Sequence, residues 1–340
     1  MKPETNKELS LSLAVVILNW NGRDLLRKFL PSVLQFSPNA YIYVADNAST
    51  DDSVSILKKE FPSVRILQNK INGGYAKGYN DALKHLNEDI FILLNSDVEV
   101  TENWLKPILN IFNTEPDTAA VQPKLLDYTN KNYFEYAGAA GGFIDRLGYP
   151  YCRGRIFDSL EEDHGQYNDD SDIFWASGAC LAIRNLAFYE AGGLDEAYFA
   201  HQEEIDLCWR LHNLGYKVKY SGASRVYHLG GATLETMNPR KTFFNFRNSL
   251  FSLLKNVPGP SAFFLIFLRM SLDFLAAIKF IAAGKFAHFF AIFQAHLSFY
   301  NHIPLFLRKR KMLPKKKDYY THKSIVISYF INGKRKYSDL

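Results

Sequence analysis

The run Leu13-Ala14-Val15-Val16-Ile17-Leu18 breaks off at Asn19-Trp20-Asn21-Gly22, and the pattern returns at Tyr41-Ile42-Tyr43-Val44-Ala45, which closes on Asp46-Asn47-Ala48-Ser49. Each is an apolar run too short for a helix that ends on small polar residues, and the stretch between them has helical spacing. Continuing the pattern, strands are expected at 13–18, 41–46, 64–67 and 90–95, and helices at 24–36, 52–60 and 75–87. Asp24 and Asp51 or Asp52 stand as caps or first-turn acids. Strands alternating with helices predict βαβ units and a parallel sheet, hence an α/β fold. In such a sheet ligands bind outside the carboxyl ends of the strands, so the polar residues closing successive strands converge on one crevice.

The chain has 340 residues, which suits one large α/β domain with an appendage. Cys152, Cys180 and Cys208 are an odd set without paired or metal-ligand spacing, and they read as reduced, buried thiols of a cytoplasmic protein. Met1 to Ser10 is polar and the run behind it is too short for a signal-peptide core, so no export is expected. After Asp97 the strict alternation stops. The Gly-rich stretch Gly138–Gly148 and the acidic stretch Glu161–Asp172 suit a mixed sheet and a substrate loop, and a helix resumes at Glu203.

Four polar motifs carry candidate chemistry. Asp46, at a strand end, can accept from a base N–H or a ribose hydroxyl, or can cap the next helix. Asn19 and Asn21 flank a turn able to grip a base edge. The loop Asn72-Gly73-Gly74, running on to Asn80, permits close backbone approach and offers helix N–H groups to an anion, with a plain turn as the alternative. Its glycines match neither the dinucleotide pattern nor the Walker pattern, which disfavours a nicotinamide oxidoreductase or a P-loop enzyme. Asn95-Ser96-Asp97 closes Phe91-Ile92-Leu93-Leu94; in an extended chain residues 95 and 97 point the same way and could hold Mg²⁺ or Mn²⁺ with substrate phosphates. A polar strand end is the bland reading.

Glu203-Glu204-Ile205-Asp206 opens a helix, where the macrodipole alone favours acids. Glu204 falls above Cys208 and Leu211, so it is expected to be half-buried, with a raised pKa suited to a general base. His228, after another β-like run in Val226-Tyr227-His228-Leu229-Gly230-Gly231, is either structural or a contact to metal or diphosphate.

Beyond Pro239 the composition changes. Phe263–Leu307 is aromatic and apolar; Arg269, Asp273, Lys279 and Lys285 argue against a spanning helix in its first half, while Phe286–Leu307 has no Lys, Arg, Asp or Glu but carries three His, Gln294, Asn301 and Pro304, which leaves spanning open there. An interfacial helical hairpin is the expected reading. Residues 300–340 carry eleven Lys or Arg against Asp318 and Asp339, a balance of +9 that leaves the remainder of the chain at −4. The basic run Arg308–Lys317 suits anionic headgroups; a soluble helical subdomain with a solvated tail is the alternative.

Together these motifs resemble the family 2 glycosyltransferases, whose fold is the GT-A nucleotide-diphospho-sugar transferase fold, a Rossmann-like mixed sheet flanked by helices. The matching stretches begin at Val15, Val44, Asn72, Leu93, Trp175, Gly193 and Glu203 and cover roughly residues 12–235. The resemblance implies that Asp46 contacts the base, that Asp97 is the metal-binding acid of the Asp-x-Asp motif, and that Glu204 holds the catalytic-base position, with Glu203 as its rival. Asn19, Asn21, Asn72, Gly73, Gly74, Asn80, Asn95 and Ser96 then belong to the nucleotide-sugar site, His228 to the metal, and Trp175, Ser177 and Gly178 to the acceptor. Asn95 stands where the motif often has Asp, and Glu204 where Asp is usual.

The expected protein is therefore an inverting hexosyl- or deoxyhexosyl-transferase. It would have a tail at 1–11, a catalytic domain at 12–235 and a helical, membrane-associated region at 236–340. Its partners would be a nucleotide-diphosphate sugar, Mg²⁺ or Mn²⁺, a glycan or lipid-linked glycan acceptor of surface polysaccharide assembly and the cytoplasmic face of a membrane, without nucleic acid. The rival is a non-catalytic nucleotide-sugar-binding or membrane-interaction protein that keeps the fold.

Overall fold

The computed structural model describes residues 11–230, 238–312 and 314–340. The polar stretch Met1–Ser10, Gly231 and the expected boundary at 235–236 lie outside the described residues.

β1 (Leu13–Asn19) is central, parallel to β2 (Tyr41–Asp46) on one side and to β4 (Ile90–Asn95) on the other, with β3 (Arg65–Gln68) beyond β2. The crossovers are α1 (Arg23–Phe36), α2 (Ser53–Glu60) and α3 (Gly74–Leu83). Val15 and Ile17 share a core with Leu26 and Leu30 of α1, while Ala14 and Val16 share another with Tyr79 of α3. Both faces are covered, which is why these strands read as unbroken apolar runs. Asp51, not Asp52, serves the second helix: its carboxylate accepts from the Ser53 amide at 3.0 Å and from the Arg23 amide at 3.1 Å. α3 stops at Leu83, short of the expected 87, because the His85 and Leu86 amides donate only three residues back, to Ala82 and Leu83.

After β4 the chain makes β5 (Val98–Val100), α4 (Leu105–Thr114) and the long β6 (Thr118–Asp127). A small antiparallel sheet follows, built from β7 (Gly142–Ile144), β8 (Pro150–Cys152), β9 (Arg155–Ile156) and β10 (Ser159–Leu160). The chain rejoins the main sheet as β11 (Ser171–Ile173) and β12 (Cys180–Arg184), then runs through α5 (Asn185–Glu190) and α6 (Glu203–Leu214) into β13 (Lys217–His228). Among the described residues the strand order is β11-β13-β6-β12-β4-β1-β2-β3, with β5 paired to β13. This is the expected mixed sheet. The acidic stretch is not a free substrate loop: buried Lys124 bonds Asp163 at 2.8 Å and Asn168 at 2.6 Å, and Arg153 bonds Asp169 at 2.6 Å.

Three long helices complete the molecule: α7 (Pro239–Asn256), then α8 (Ser261–Ala282) and α9 (Phe286–Arg310), which form the expected helical hairpin. The final residues are not a loose arm. The Ile325 amide donates to Asp145 at 2.8 Å, and Ile325 and Tyr329 share a small core with Tyr151 and Ile156.

A buried ionic cluster fixes α7 and α9 to α6. Lys255 of α7 donates to Asp195 at 2.7 Å and to Asp206 of α6 at 2.9 Å; Arg210 and Asn256 complete the shell of Asp206, and Lys309 of α9 bonds Asp195. Removing one partner of a buried pair leaves an uncompensated charge. Lys255→Met is expected to cost about 3 kcal/mol, the low end for such a loss because Arg210 and Lys309 remain. The loss should appear as a lower urea midpoint with an unchanged slope.

Candidate active site

The strand-end residues do converge. Asn19 sits beside Asp46 in the β1–β2 register, and Asn95 beside Leu18 in the β1–β4 register. The Asn19 amide donates to Asp46 Oδ1 at 3.1 Å and to Ser49 at 3.2 Å, and the Ser49 amide donates to Asp46 Oδ2 at 3.0 Å. Asn19 Oδ1 is buried without a partner, an acceptor left open at the strand ends. Asn21 is different. Its φ is 51° and its side-chain Oδ1 accepts from the Thr50 amide at 2.7 Å, so it shapes the loop after β2 instead of presenting an acceptor to a base.

In the Asn72–Gly74 loop two of the N–H groups expected to face an anion are engaged within the protein. Asn72 Oδ1 accepts from the Gly74 amide at 3.0 Å, and the Tyr75 amide donates to the carbonyl of Phe199 at 2.8 Å. Gly74 has φ 80°, and a Cβ there would lie 2.4 Å from that carbonyl, so glycine is required by packing against the 198–202 loop. A Cβ on Gly73 would strike the Lys77 stem. Asn80 is likewise engaged: its amide donates to Leu194 O at 2.8 Å and its oxygen accepts from Leu194 N at 3.0 Å.

Strand alternation does not aim Asn95 and Asp97. β4 ends at Asn95, and Ser96 and Asp97 form a tight turn into β5. The two residues meet instead at His228: Asp97 Oδ1 is 3.2 Å and Asn95 Nδ2 is 3.4 Å from its Nε2. Glu135, buried and absent from every motif above, reaches His228 Nδ1 from the other side at 3.3 Å. Burial opposes the charged ring, but Glu135 and Asp97 outweigh it and push His228 up to about 10. Two carboxylates facing one ring favour a cation at this spot. Among the described residues no three His, Cys, Asp or Glu side chains form a ready cage, but a hard carboxylate oxygen next to an imidazole nitrogen suits Mg²⁺ or Mn²⁺ completed by substrate oxygens.

The start of α6 is the second charged centre. Phe199, His201 and Gln202 all have φ between 65° and 69°, a conformation that costs a non-glycine residue roughly 1–2 kcal/mol. Asn248 of α7 holds them there, donating to the carbonyls of Tyr198, Ala200 and His201 at 2.7–3.1 Å. Glu203 is 3% exposed, Glu204 is half-buried, and each has a buried carboxyl oxygen without a partner. Burial and the neighbouring Glu204 push Glu203 far above the carboxylate range. Burial pushes Glu204 up too, but backbone N–H groups of the helix start hold it at about 7. Asp206 belongs to the ionic cluster instead, where Arg210 and Lys255 overcome its burial and keep it below its usual value.

Trp175, Ser177 and Gly178 lie beside this centre but are all buried. Trp175 donates to Phe143 O at 2.9 Å, with its ring over Gly142; the Ser177 hydroxyl accepts from the Ala179 amide at 3.2 Å; and Gly178 O accepts from the Tyr75 hydroxyl at 2.7 Å. They shape the wall and do not offer themselves to an acceptor. Tyr75 is the residue they point to: its hydroxyl is held by Gly178 O, and burial, Tyr79, Glu203 and Glu204 push its phenol far up. His201, pushed down to about 4 by burial, has a buried Nε2 without a partner. Tyr75 was visible inside the glycine loop; Glu135 and His201 carry no local signal.

Residues 14–184 match the sequence model of the family described as glycosyl transferase family 2. An N-acetylglucosaminyl-diphospho-decaprenol L-rhamnosyltransferase of Mycobacterium tuberculosis is 27% identical over 232 residues, 64% of this chain and 75% of the relative. Among solved structures, S. aureus TarS 1-349 in complex with UDP-GlcNAc is 14% identical with TM-score 0.57, covering 95% of this chain and 93% of that one. GalNAc-T7 with UDP, GalNAc and Mn²⁺ is 17% identical with TM-score 0.59 over 73% of this chain, which spans about half (48%) of that one. The two structures share the fold.

The double bond between Asn80 and the Leu194 backbone gives a test of its role. Asn80→Ala should cost about 2 kcal/mol, two lost hydrogen bonds. The Leu194 amide should exchange faster, and nucleotide affinity should stay unchanged.

Proposed function

Since the chain belongs to glycosyl transferase family 2 and is a glycosyltransferase of GT-A fold, we propose that it transfers a sugar from a nucleotide diphosphate to an acceptor hydroxyl with inversion, Glu204 acting as general base. The observation that carries this reading is the pair of unpartnered carboxyls at the start of α6, of which Glu204 alone is both half-buried and held near neutrality. Glu203, which burial and Glu204 push further up, is the weaker candidate for taking the proton. As the acceptor oxygen bonds to the anomeric carbon, the bond to the diphosphate oxygen breaks on the opposite face and the hydroxyl proton passes to Glu204. Asn19 and Asp46 are proposed to bind the base, and Ser96 lines the same strand ends. Asp97 and His228 would hold Mg²⁺ or Mn²⁺, which supplies Lewis-acid neutralisation of the departing diphosphate; Glu135 orients the imidazole from behind.

The acceptor is proposed to be a lipid-linked glycan of surface polysaccharide assembly, presented at the cytoplasmic face of a membrane. Supporting it is the Mycobacterium tuberculosis relative, whose name specifies a diphospho-decaprenol acceptor.

Glu204→Gln keeps shape but cannot accept a proton, so turnover should fall roughly 10²–10⁴-fold with donor affinity unchanged within a few-fold. Glu203→Gln, a change at the weaker candidate, should be mild. In the parent, kcat/KM should be flat above about pH 7 and fall in inverse proportion to proton concentration below it, as Glu204 protonates. If Glu203→Gln is the inactive variant, the base is misassigned; if both turn over normally, the catalytic reading fails, and donor binding without turnover in the parent would favour the non-catalytic rival. For the metal, calorimetry should show donor binding strengthened by Mn²⁺ in the parent and that gain largely lost in Asp97→Asn. Equal affinity with and without Mn²⁺ in both proteins contradicts the assignment.

A further inference from the structure

The α8–α9 hairpin is turned inside out. Its inward side buries charge: Arg269 bonds Asp273 at 3.0 Å and the carbonyl of Leu147 at 3.2 Å, its guanidinium lies over the Tyr149 ring, and His296 of α9 reaches Asp273 at 3.2 Å. Its outward side is apolar. On α8, Phe263, Phe267, Phe274 and Ile278 recur at helical spacing and are 46–66% exposed. On α9, Phe290, Phe293, Leu297 and Tyr300 do the same at 48–58% exposure. Arg269 and Asp273, two of the four charges that interrupt the segment in sequence, are therefore withdrawn from its outer surface, while Lys279 and Lys285 stay exposed at its border. An apolar face of this extent on a folded protein marks an interaction site.

We infer that this outward face seats in the headgroup and acyl boundary of an anionic membrane. Charge decides between a bilayer and a second copy of the chain. From Pro239 to Lys317 the sole acid is Asp273, which is buried, against fourteen Lys and Arg, of which only Arg247, Lys255 and Arg269 are buried. Lys279, Lys285 and Lys311, all exposed, border the hairpin with positive charge. A two-fold dimer through this face would bring like charges together, whereas anionic headgroups complement them. α8 alone has the length and mean hydropathy (1.8) to cross a bilayer among the described residues, but its inner side is tied to Leu147, Tyr149 and α9, so the helix lies on the surface instead of spanning.

The seating also orients the crevice. His288, at the start of α9, bonds Thr242 at 2.8 Å, and one turn on, Asn245 accepts from Gln202, the residue before Glu203, at 3.2 Å. The turn of the hairpin is thus on the Glu204 side, which sets the site toward the headgroups.

Vesicle co-sedimentation of the full chain, without donor, tests the seating independently of sugar transfer. The parent should bind vesicles of phosphatidylcholine with phosphatidylglycerol and bind pure phosphatidylcholine more weakly. Phe274→Glu with Phe290→Glu should reduce binding roughly tenfold or more, with an unchanged thermal midpoint since both rings are exposed. Lys279→Glu with Lys285→Glu should remove the preference for the anionic lipid. The inference is overturned if the parent ignores both vesicles, or if the phenylalanine variant binds as the parent does. It is equally overturned if light scattering shows a dimer that this variant splits, which makes the face a self-association surface, or if protease protection places the C-terminal segment across the bilayer.

Discussion

Lys255 lies between two buried carboxylates, Asp195 and Asp206, and everything that surrounds the reacting centre hangs on that contact. It joins the loop after α5, the helix that carries Glu204, and α7, while Lys309 brings α9 to the same spot. Burial raises the cost of each charge, and Lys255 is pulled down by it. The aspartates nonetheless stay depressed because their cations outweigh the burial. A depressed carboxylate contributes stability above its unfolded value, so the cluster holds at neutral pH and loosens in acid as Asp195 and Asp206 are protonated.

That cluster explains how one helical turn can hold acids with opposite fates. Asp206 is surrounded by Arg210, Lys255 and Asn256, and it is structural. Glu203 and Glu204, two or three residues earlier, have no cation within reach among the described residues and only helix N–H groups to support them. The sequence motif reads as three acids at a helix start; the fold spends one on anchorage and leaves two at raised affinity for a proton. The left-handed residues just before them add strain that α7 and the Tyr75 amide together contain, through Asn248 and Phe199 O.

The β and α alternation was legible because strands buried on both faces must be apolar throughout and must end where the polar edge begins. Asn19, Asp46 and Asn95 could be placed at strand ends for the same reason, since a strand end is a local feature. What lay beyond reading was where each polar atom spends its hydrogen bonds. Asn80, Asn21, Trp175 and Ser177 look available in sequence and are consumed by backbone groups that only the tertiary fold supplies. Asp97 reached the right neighbour by a turn, not by alternation, and Glu135 meets His228 from ninety-odd positions away in the chain with no spacing to announce it.

The hairpin shows the same limit with the opposite consequence. In sequence, Arg269 and Asp273 sit one helical turn apart inside an aromatic segment and look like a reason to keep it in water. Folded, they neutralise each other against Tyr149 and His296, and the helix turns its phenylalanines outward. In water that arrangement is unfavourable on both sides, since charge is desolvated within and apolar surface is hydrated without. It becomes favourable when the outer surface meets hydrocarbon, because the pair is then sheltered from a medium that would cost it far more and the aromatic stripe is removed from water. The inward charges thus fix which side of the hairpin can leave water.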